Sequence, residues 1–422
     1  MQTPRLPIEI QEYIVELCAC DGDYDRSRYT LLSCALTCRT WLARSQLHLF
    51  SHVIIRNGKT FRAFVNGLKL RPINGYFVHD LEIKDHNAEH SWINLVPLQL
   101  PLLLPKLTSL RLEKIQMTNI HPNFFQNFSQ FKRITQLVVQ SIEFDKFIDF
   151  ARLVISLPNL RCLQILRRIQ WKEGSGILIP HLIGKTLSKK VQLTHLCIVF
   201  MDDPHINSTI IDWLLWTSSM KSLKEFEMLC LPYTENFANP VTKFLESCGS
   251  SINRLSISVD NLDLLDISPS TSLKILSLTL SSILAFPSIA IPLSQIKSQY
   301  IHTIILQMPV QSLEECLGIA WNVLDDSLGT LSGPRTRLED SSNTTRGYSF
   351  PQLHLQNSNS KLNMSDIHPH PYSYSRHYLK TVIVVFEGIR GFDTKIIERE
   401  KASIEGKLPK LMMRGILGFI FN

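Results

Sequence analysis

The chain has 422 residues, of which 44% are hydrophobic and 19% are charged, and its formal net charge is +7. This composition is typical of a folded protein with a sizeable core, and it excludes a chain that is disordered throughout. The positive charge is spread along the sequence and not gathered in a basic stripe or arm, so we expect no nucleic-acid partner.

Nine cysteines are scattered through the chain, most of them inside apolar runs. An odd number of dispersed cysteines predicts free, buried thiols in a reducing compartment. The N-terminus shows no signal-peptide pattern, and no apolar run is long enough to span a membrane. We therefore expect a cytoplasmic and/or nuclear protein with no membrane partner.

The N-terminal segment from Leu6 to Arg56 has the apolar periodicity of three short helices. Pro7 suits the first turn of a helix, and a stripe of apolar residues from Ile10 to Leu17 follows at helical spacing. A second apolar run extends from Leu31 to Cys38, and residues 43–55 change from a helical to an extended pattern. Since a segment this small is marginal as an independent core, we expect some of its apolar side chains to pack against a partner.

The residues of this segment resemble the F-box. The family pattern has Leu-Pro-x-Glu near the N-terminus and Cys-Arg-x-Trp at the end of the second helix; residues 6–9 and 38–41 are Leu-Pro-Ile-Glu and Cys-Arg-Thr-Trp. Residues 44–50 are similar to the version expanded in basidiomycete (mushroom-forming) fungi. The resemblance implies docking onto the Skp-type adaptor of a cullin–RING ubiquitin ligase, through Leu6, Pro7, Ile10, Ile14, Leu31, Leu32 and Leu36. The alternative is a helical cap that only seals the end of the next domain.

Beyond this segment a short motif, approximately L-x-x-L-x-L, returns eight times between residues 78 and 278. Its fourth positions lie 21 to 33 residues apart, in the range of leucine-rich repeats, and are Leu81, Leu110, Leu137, Leu163, Leu196, Phe226, Leu255 and Leu276. The alternation L-x-L predicts a strand with one buried face, and the amphipathic segments between the motifs predict helices. We expect an α/β fold in which a three-helix F-box precedes a leucine-rich-repeat-like solenoid with parallel strands. The alternative is a doubly wound α/β sheet, which has no reason to repeat the leucine spacing.

The pattern loosens after Leu278. Residues 300–306 predict a ninth strand, residues 310–324 a helix, and residues 379–386 a tenth strand beside the ninth. Between Thr330 and Arg376, 23 of 47 residues are Ser, Thr, Asn, Gly or Pro, which is too polar to offset the entropy of ordering. The predicted domains are the F-box (1–56), the solenoid (57–329), a disordered insertion (330–376), and a final strand with a C-terminal helical cap (377–422).

The strand face opposite the core is the candidate target-binding surface. Its side chains alternate with the buried leucines and are charged in the early repeats, apolar in the middle and hydroxylic in the late ones. A mixed surface of this kind suits a protein target better than a phosphate backbone. The candidate contacts are Glu82, Lys84, Arg111, Glu113, Gln140, Gln164 and Glu227. The alternative for each is an ordinary solvated sheet position.

Two other constellations do not predict a metal site. The histidines of the His368-Pro369-His370 run are held extended by proline with no cysteine nearby. Cys18, Cys20, Cys34 and Cys38 have no familiar zinc spacing, and the last two fall on core positions of the second helix. The sequence also has no phosphate-binding glycine loop, no HExxH and no G-x-S-x-G motif. We therefore expect no cofactor, no metal and no enzyme activity.

These observations predict a substrate-recognition subunit of a Skp–cullin–F-box ubiquitin ligase. In this interpretation the chain bridges the adaptor, and through it a cullin, to an unknown protein target, and supplies proximity while the recruited conjugating enzyme performs the chemistry. Two alternatives stay open: an adaptor-independent repeat scaffold with no ligase role, and an enzyme with an unfamiliar site in the insertion.

Overall fold

The computed structural model describes residues 7–19, 24–85, 90–118, 120–121, 123–167, 169–171, 191–199, 204–229, 235–258, 265–310, 313–331, 379–387 and 394–421. Leu6, Cys20, Cys230 and the polar segment 332–378 with its histidine run lie outside these residues. The insertion was predicted to begin at Thr330, but Thr330 and Leu331 belong to the helix Trp321–Leu331. Disorder in the rest of the insertion and the adaptor contact of Leu6 stay predictions.

Three helices form the N-terminal end of the described chain, and we call them the head: α1 (Ile8–Ala19), α2 (Tyr24–Thr37) and α3 (Arg39–Ser51). The carbonyl of Pro7 accepts the first helical hydrogen bond of α1, as its position in the sequence predicts. Trp41 Nε1 donates to Gln11 Oε1 at 3.1 Å, and Arg44 forms an ion pair with Glu16. These two contacts hold α3 against α1.

In the described residues, one sheet of twelve parallel strands follows, with the strands in chain order. The strands are β1 (His52–Ile55), β2 (Asp80–Lys84), β3 (Ser109–Glu113), β5 (Gln136–Gln140), β7 (Cys162–Leu166), β9 (His195–Val199), β10 (Glu225–Leu229), β11 (Arg254–Ser258), β12 (Ile275–Thr279), β13 (Thr303–Pro309), β14 (Thr381–Glu387) and β15 (Leu417–Phe421). A doubly wound sheet would reverse its strand order, so the predicted α/β solenoid is confirmed.

The leucine motif sets the register of this sheet. Each of the eight predicted fourth-position residues is the second residue of a strand, is at most 2% exposed, and lies opposite its equivalent in the next strand. The result is a continuous ladder of buried apolar side chains from Leu81 to Leu276. Since one repeat cannot bury this face alone, stacking of neighbours creates the core.

Helices pack on the leucine side of the sheet and leave the other side as an open face. Outside the head, the described α-helices are α4 (Gly58–Leu70), α5 (Val96–Leu103), α6 (Phe124–Phe128), α7 (Phe147–Ser156), α8 (Pro204–Leu215), α9 (Ser219–Ser222), α10 (Glu235–Cys248), α11 (Ala290–Ser294), α12 (Leu313–Gly318), α13 (Trp321–Leu331), α14 (Thr394–Gly406) and α15 (Pro409–Met412). Aromatic pairs such as Phe226 with Phe244, 5.0 Å between ring centroids, join strand to helix.

Three consecutive repeats share a left-handed turn directly after the strand. Lys114, Ser141 and Arg167 have φ of 55°, 53° and 58° and follow β3, β5 and β7. The turn leads into a second, short parallel sheet of β4 (Gln116–Met117), β6 (Glu143–Phe144) and β8 (Gln170–Trp171). Equal backbone geometry at equal positions shows that these repeats are structural copies.

The first strand differs from the predicted domain boundary. β1 pairs in parallel with β2, from His52 opposite Asp80 to Ile55 opposite Ile83. Residues 52–55 are extended as predicted, but they pair with the sheet of the solenoid, whereas the predicted F-box included residues up to 56. The reason is that α3 runs directly into the sheet without a linker.

The C-terminal end also differs from the prediction. The expected helix at 310–324 is divided into α12 and α13, which end and begin around Gly318. β14 pairs beside β13 as predicted, but β15 then extends the sheet where only a helical cap was expected. Leu417 and Phe419 alternate with Gly418 and pack on the core, which is a strand pattern.

Candidate partner-binding surfaces

The head has a small core that is separate from that of the solenoid. Its buried apolar side chains are Val15, Leu31 and Cys34. Partly buried apolar side chains, among them Trp41 and Leu49, pack against these three. Because this core is small, many apolar residues of the three helices are exposed.

Two exposed apolar stripes lie on the head. On α1 they are Ile10, Tyr13 and Leu17, which are 45%, 57% and 54% exposed. On α2 they are Tyr29, Leu32 and Leu36, which are 74%, 44% and 88% exposed. Each set recurs at steps of three and four, so it occupies one face of its helix. Contiguous exposed apolar groups of this kind are typical of an interaction surface.

Most of the predicted adaptor contacts are accessible, with one correction. Pro7, Ile10, Leu32 and Leu36 are exposed, and Ile14 is half-buried. Leu31 is only 5% exposed because it faces the core of the head, so it stabilises the head and is not available to a partner.

The thiols of the head also need a correction. Cys34 is buried as predicted, but Cys38 is exposed at the N-cap of α3, because α2 ends one residue before it. Cys38 is therefore neither a core residue nor part of the second helix.

On the open face, the charged side chains of the first repeats bind one another. Lys84 Nζ lies 2.7 Å from Glu82 Oε1 and 2.9 Å from Glu113 Oε2, and His52 Nε2 lies 3.5 Å from Glu82 Oε2. Burial opposes the ionisation of Glu82, but hydrogen bonds from its neighbours His52 and Lys84 outweigh burial and hold the pKa of Glu82 at about 2. Burial opposes the charge of Lys84, but its hydrogen bonds to Glu82 and Glu113 outweigh burial and raise the pKa of Lys84 above its usual value.

This network changes the interpretation of the predicted target contacts. Glu82, Glu113 and Gln140 are buried, Lys84, Arg111 and Gln164 are half-buried, and only Glu227 is exposed. The parallel register places Lys84 opposite Glu113, so opposite charges of adjacent repeats meet. The early charges therefore stabilise the sheet and offer little free charge to a target.

The middle repeats carry a polar pair that the sequence analysis did not single out. His195 Nε2 lies 3.1 Å from Glu225 Oε1 across β9 and β10. This hydrogen bond raises the pKa of His195 and lowers the pKa of Glu225. The sequence signal was available, since His195 and Glu225 each precede the fourth position of their motif and so share a register.

Two thiols of the open face, Cys162 and Cys197, have raised pKa values and low reactivity. Burial raises the pKa of Cys162 to about 11, and it raises the pKa of the neighbouring Cys197 further. Both thiols are therefore protonated at neutral pH and are poor nucleophiles.

The described part of the chain holds neither a cluster of metal-ligating side chains nor a helix suited to crossing a membrane. No three His, Cys, Asp or Glu side chains there are grouped as a metal ion would require. None of the helices described combines the length and the apolar character needed to cross a bilayer.

No protein-family model and no curated protein matches the sequence. Among solved structures, the chain is similar to a chain in the crystal structure of the Rad7 and Elc1 complex of yeast, with 14% identity and a TM-score of 0.34, over 77% of this chain and 85% of that chain. It is also similar to a leucine-rich-repeat protein of Leptospira interrogans, with 13% identity and a TM-score of 0.25, over 65% and 68%. Likeness this remote transfers no property, and the fold rests on the strand register.

Proposed function

We propose that this chain is the substrate-recognition subunit of a Skp–cullin–F-box type of ubiquitin ligase. The observation that carries the proposal is the pair of exposed apolar stripes on α1 and α2, in a segment whose residues resemble the F-box. A head that existed only to cap the solenoid would turn these side chains toward the sheet. Tyr13, Leu17, Tyr29 and Leu36 instead are more than half exposed to water.

Within this function the two parts of the chain have separate roles. The head binds the Skp-type adaptor, and through it a cullin, while the solenoid holds a protein target. The chain itself supplies no catalytic group and no cofactor, because the recruited conjugating enzyme performs the transfer and proximity is this chain's contribution. We place the protein in the cytoplasm and/or the nucleus as part of the same proposal.

The proposal is tested by co-purifying the full chain with a Skp-type adaptor. We expect a one-to-one complex that Leu36→Asp weakens by at least about 2 kcal/mol, or ~30-fold in Kd, because a carboxylate would be buried in an apolar contact. The matched control is Leu284→Asp, since Leu284 is 91% exposed on the solenoid while Leu36 is 88% exposed on the head.

The alternative is a repeat scaffold that needs no adaptor. This alternative predicts that the folded full chain forms no complex with the adaptor, or that the Leu36→Asp and Leu284→Asp variants bind the adaptor with the same affinity. Either result would rule out the ligase role.

A further inference from the structure

The residues that immediately precede the strands form a continuous row along one edge of the sheet. The backbone carbonyl of every residue in this row but the last accepts hydrogen bonds from two backbone N–H groups of the next repeat, at donor–acceptor distances of 2.7 to 3.2 Å. The row is therefore in register from repeat to repeat. We call it the rim, and its ten residues are His79, Thr108, Thr135, Arg161, Thr194, Lys224, Asn253, Lys274, His302 and Lys380.

The later part of the rim carries a cation on every second strand. Arg161, Lys224, Lys274 and Lys380 precede β7, β10, β12 and β14, and all four side chains are exposed. Neutral side chains occupy the strands between them. Since neighbouring strands are about 4.8 Å apart, the cations recur every ~9.6 Å along an edge of ~29 Å.

In the part of the chain that the structure describes, these four cations form no ion pair with a carboxylate. Glu225, the nearest in register to Lys224, is paired with His195. From β11 to β14 the strand residues next to the rim are Arg254, Ile275, Thr303 and Thr381.

The electrostatic effect of the cations is visible at His302, which lies on the rim between two of them. Burial lowers the pKa of His302, and the charges of Lys380 and Lys274 lower it further. This edge of the sheet therefore carries a positive potential that favours a negative ligand.

We propose that the rim from Arg161 to Lys380 binds an extended acidic segment of a protein, with one carboxylate facing each of the four cations. A polyproline II segment rises about 3.1 Å per residue with three residues per turn, so every third side chain lies on one face at ~9.3 Å intervals. That spacing matches the ~9.6 Å between alternate strands. The proposal deepens the proposed function and rests on it in one respect, because the acidic segment would belong to the target.

A single-stranded nucleic acid fits this surface less well. Proteins that bind single strands combine cations with aromatic side chains on which the bases stack. The open face beside the rim carries no aromatic residue from β11 to β14, where its side chains include Ser256, Ser277, Ile305 and Ile383. Hydroxyl groups on the same strands suit the carbonyl groups of a peptide.

The test measures the fluorescence anisotropy of labelled twelve-residue peptides with the full chain at low and at physiological ionic strength. One peptide repeats Glu-Pro-Pro four times, and its control has the same composition with the four glutamates adjacent. We expect the spaced peptide to bind about fivefold more tightly, and both to weaken as salt rises. Equal affinity of the two peptides would overturn the proposed spacing and with it the proposal.

Two triple variants with the same net charge locate the binding. Lys224→Glu, Lys274→Glu and Lys380→Glu together should weaken the spaced peptide at least about tenfold. Lys59→Glu, Lys69→Glu and Lys243→Glu together alter exposed lysines of helices α4 and α10 and should change Kd less than ~twofold. An equal loss in both triples would mean a non-specific charge effect and would overturn the proposal. So would a twelve-nucleotide oligothymidylate that binds more tightly than the spaced peptide and loses its affinity in the first triple.

Adaptor binding, measured on the same preparations, separates this proposal from the proposed function. The triple variant of the rim should bind the adaptor as tightly as wild type does, and the Leu36→Asp variant should bind the spaced peptide as tightly as wild type does. If the wild-type chain binds the adaptor but does not bind the spaced peptide, the rim proposal is overturned and the proposed function is not.

Discussion

At the scale of single residues, Glu82 shows how the open face tolerates buried charge. Its side chain is only 9% exposed, and removing a carboxylate from water costs several kcal/mol unless its oxygens are paired. Lys84 and His52 provide that pairing from the same strand and from its neighbour β1. The network therefore ties the strand that follows the head to the second and third strands of the solenoid.

This network predicts an acid-dependent part of the stability. The pKa of Glu82 is about 2 in the folded chain, below its ordinary value of 4.5, so its contribution is fully present above pH 4.5 and is lost as pH falls toward 2. We expect Glu82→Gln to flatten the decrease in unfolding free energy across this window by on the order of 2 kcal/mol. Denaturant unfolding at several pH values between 5 and 2 measures it.

The control for this prediction is Glu246→Gln, an exposed carboxylate on α10. It should leave the pH dependence as in the wild-type chain. If Glu82→Gln and Glu246→Gln gave the same slope, the network would contribute nothing to acid stability.

At the scale of elements, Gly249 marks a close contact between the turns of adjacent repeats. A Cβ at Gly249 would lie 2.6 Å from the carbonyl oxygen of Pro269 and 2.7 Å from its carbonyl carbon. In contrast, a Cβ at Gly67, inside helix α4, would meet nothing within 4 Å. A side chain at Gly249 would therefore clash with backbone, whereas a side chain at Gly67 has room.

We expect Gly249→Ala to lower the free energy of unfolding by about 2 kcal/mol or more, because backbone must move to admit the methyl group. Gly67→Ala should raise it by about 0.5–1 kcal/mol through helix propensity. Urea unfolding of both variants gives the comparison. A Gly249→Ala chain as stable as wild type would show that the turns can separate without cost.

A carboxylate on α13 caps the start of helix α15, whose Leu411 is buried in the core. Asp325 on α13 accepts hydrogen bonds from the backbone N–H groups of Lys410 at 3.2 Å and Leu411 at 3.0 Å, at the start of α15. Asp325 therefore acts as a cap supplied from 85 residues away in sequence.

Asp325→Ala should cost about 1–3 kcal/mol and raise hydrogen exchange in α15 and β15, because two backbone donors lose their acceptor. The neighbouring Asp326→Ala removes an exposed ion pair with Lys410, which solvent screens, and should destabilise the chain less than Asp325→Ala does. Equal effects of the two variants would contradict the capping role.

The elements that sequence alone predicted well are those specified by local pattern. Leu81 and its seven equivalents fixed eight strands because L-x-L alternation has no helical interpretation. The helix at 310–324 was less predictable, because Trp321 and Leu324 continue the apolar spacing across the break. Gly318 was the available signal for a helix end.

At the scale of the whole molecule, sequence could not show which open-face side chains are free. That depends on register, which places Lys84 between Glu82 and Glu113 and so buries residues expected to contact a target. The same register aligns Arg161, Lys224, Lys274 and Lys380 along one edge of the sheet. These residues are up to 219 positions apart, and no local sequence pattern links them. In the head, the helical pattern predicted the apolar stripes but could not separate buried Leu31 from exposed Leu32.

The proposed function requires that the exposed stripes of the head bind a Skp-type adaptor. Hydrogen exchange of the full chain, with and without a saturating amount of the adaptor, tests it most directly. We predict slower exchange confined to α1 and α2, with the strands of the solenoid unchanged. Unchanged exchange in α1 and α2, or protection only in the solenoid, would contradict the account.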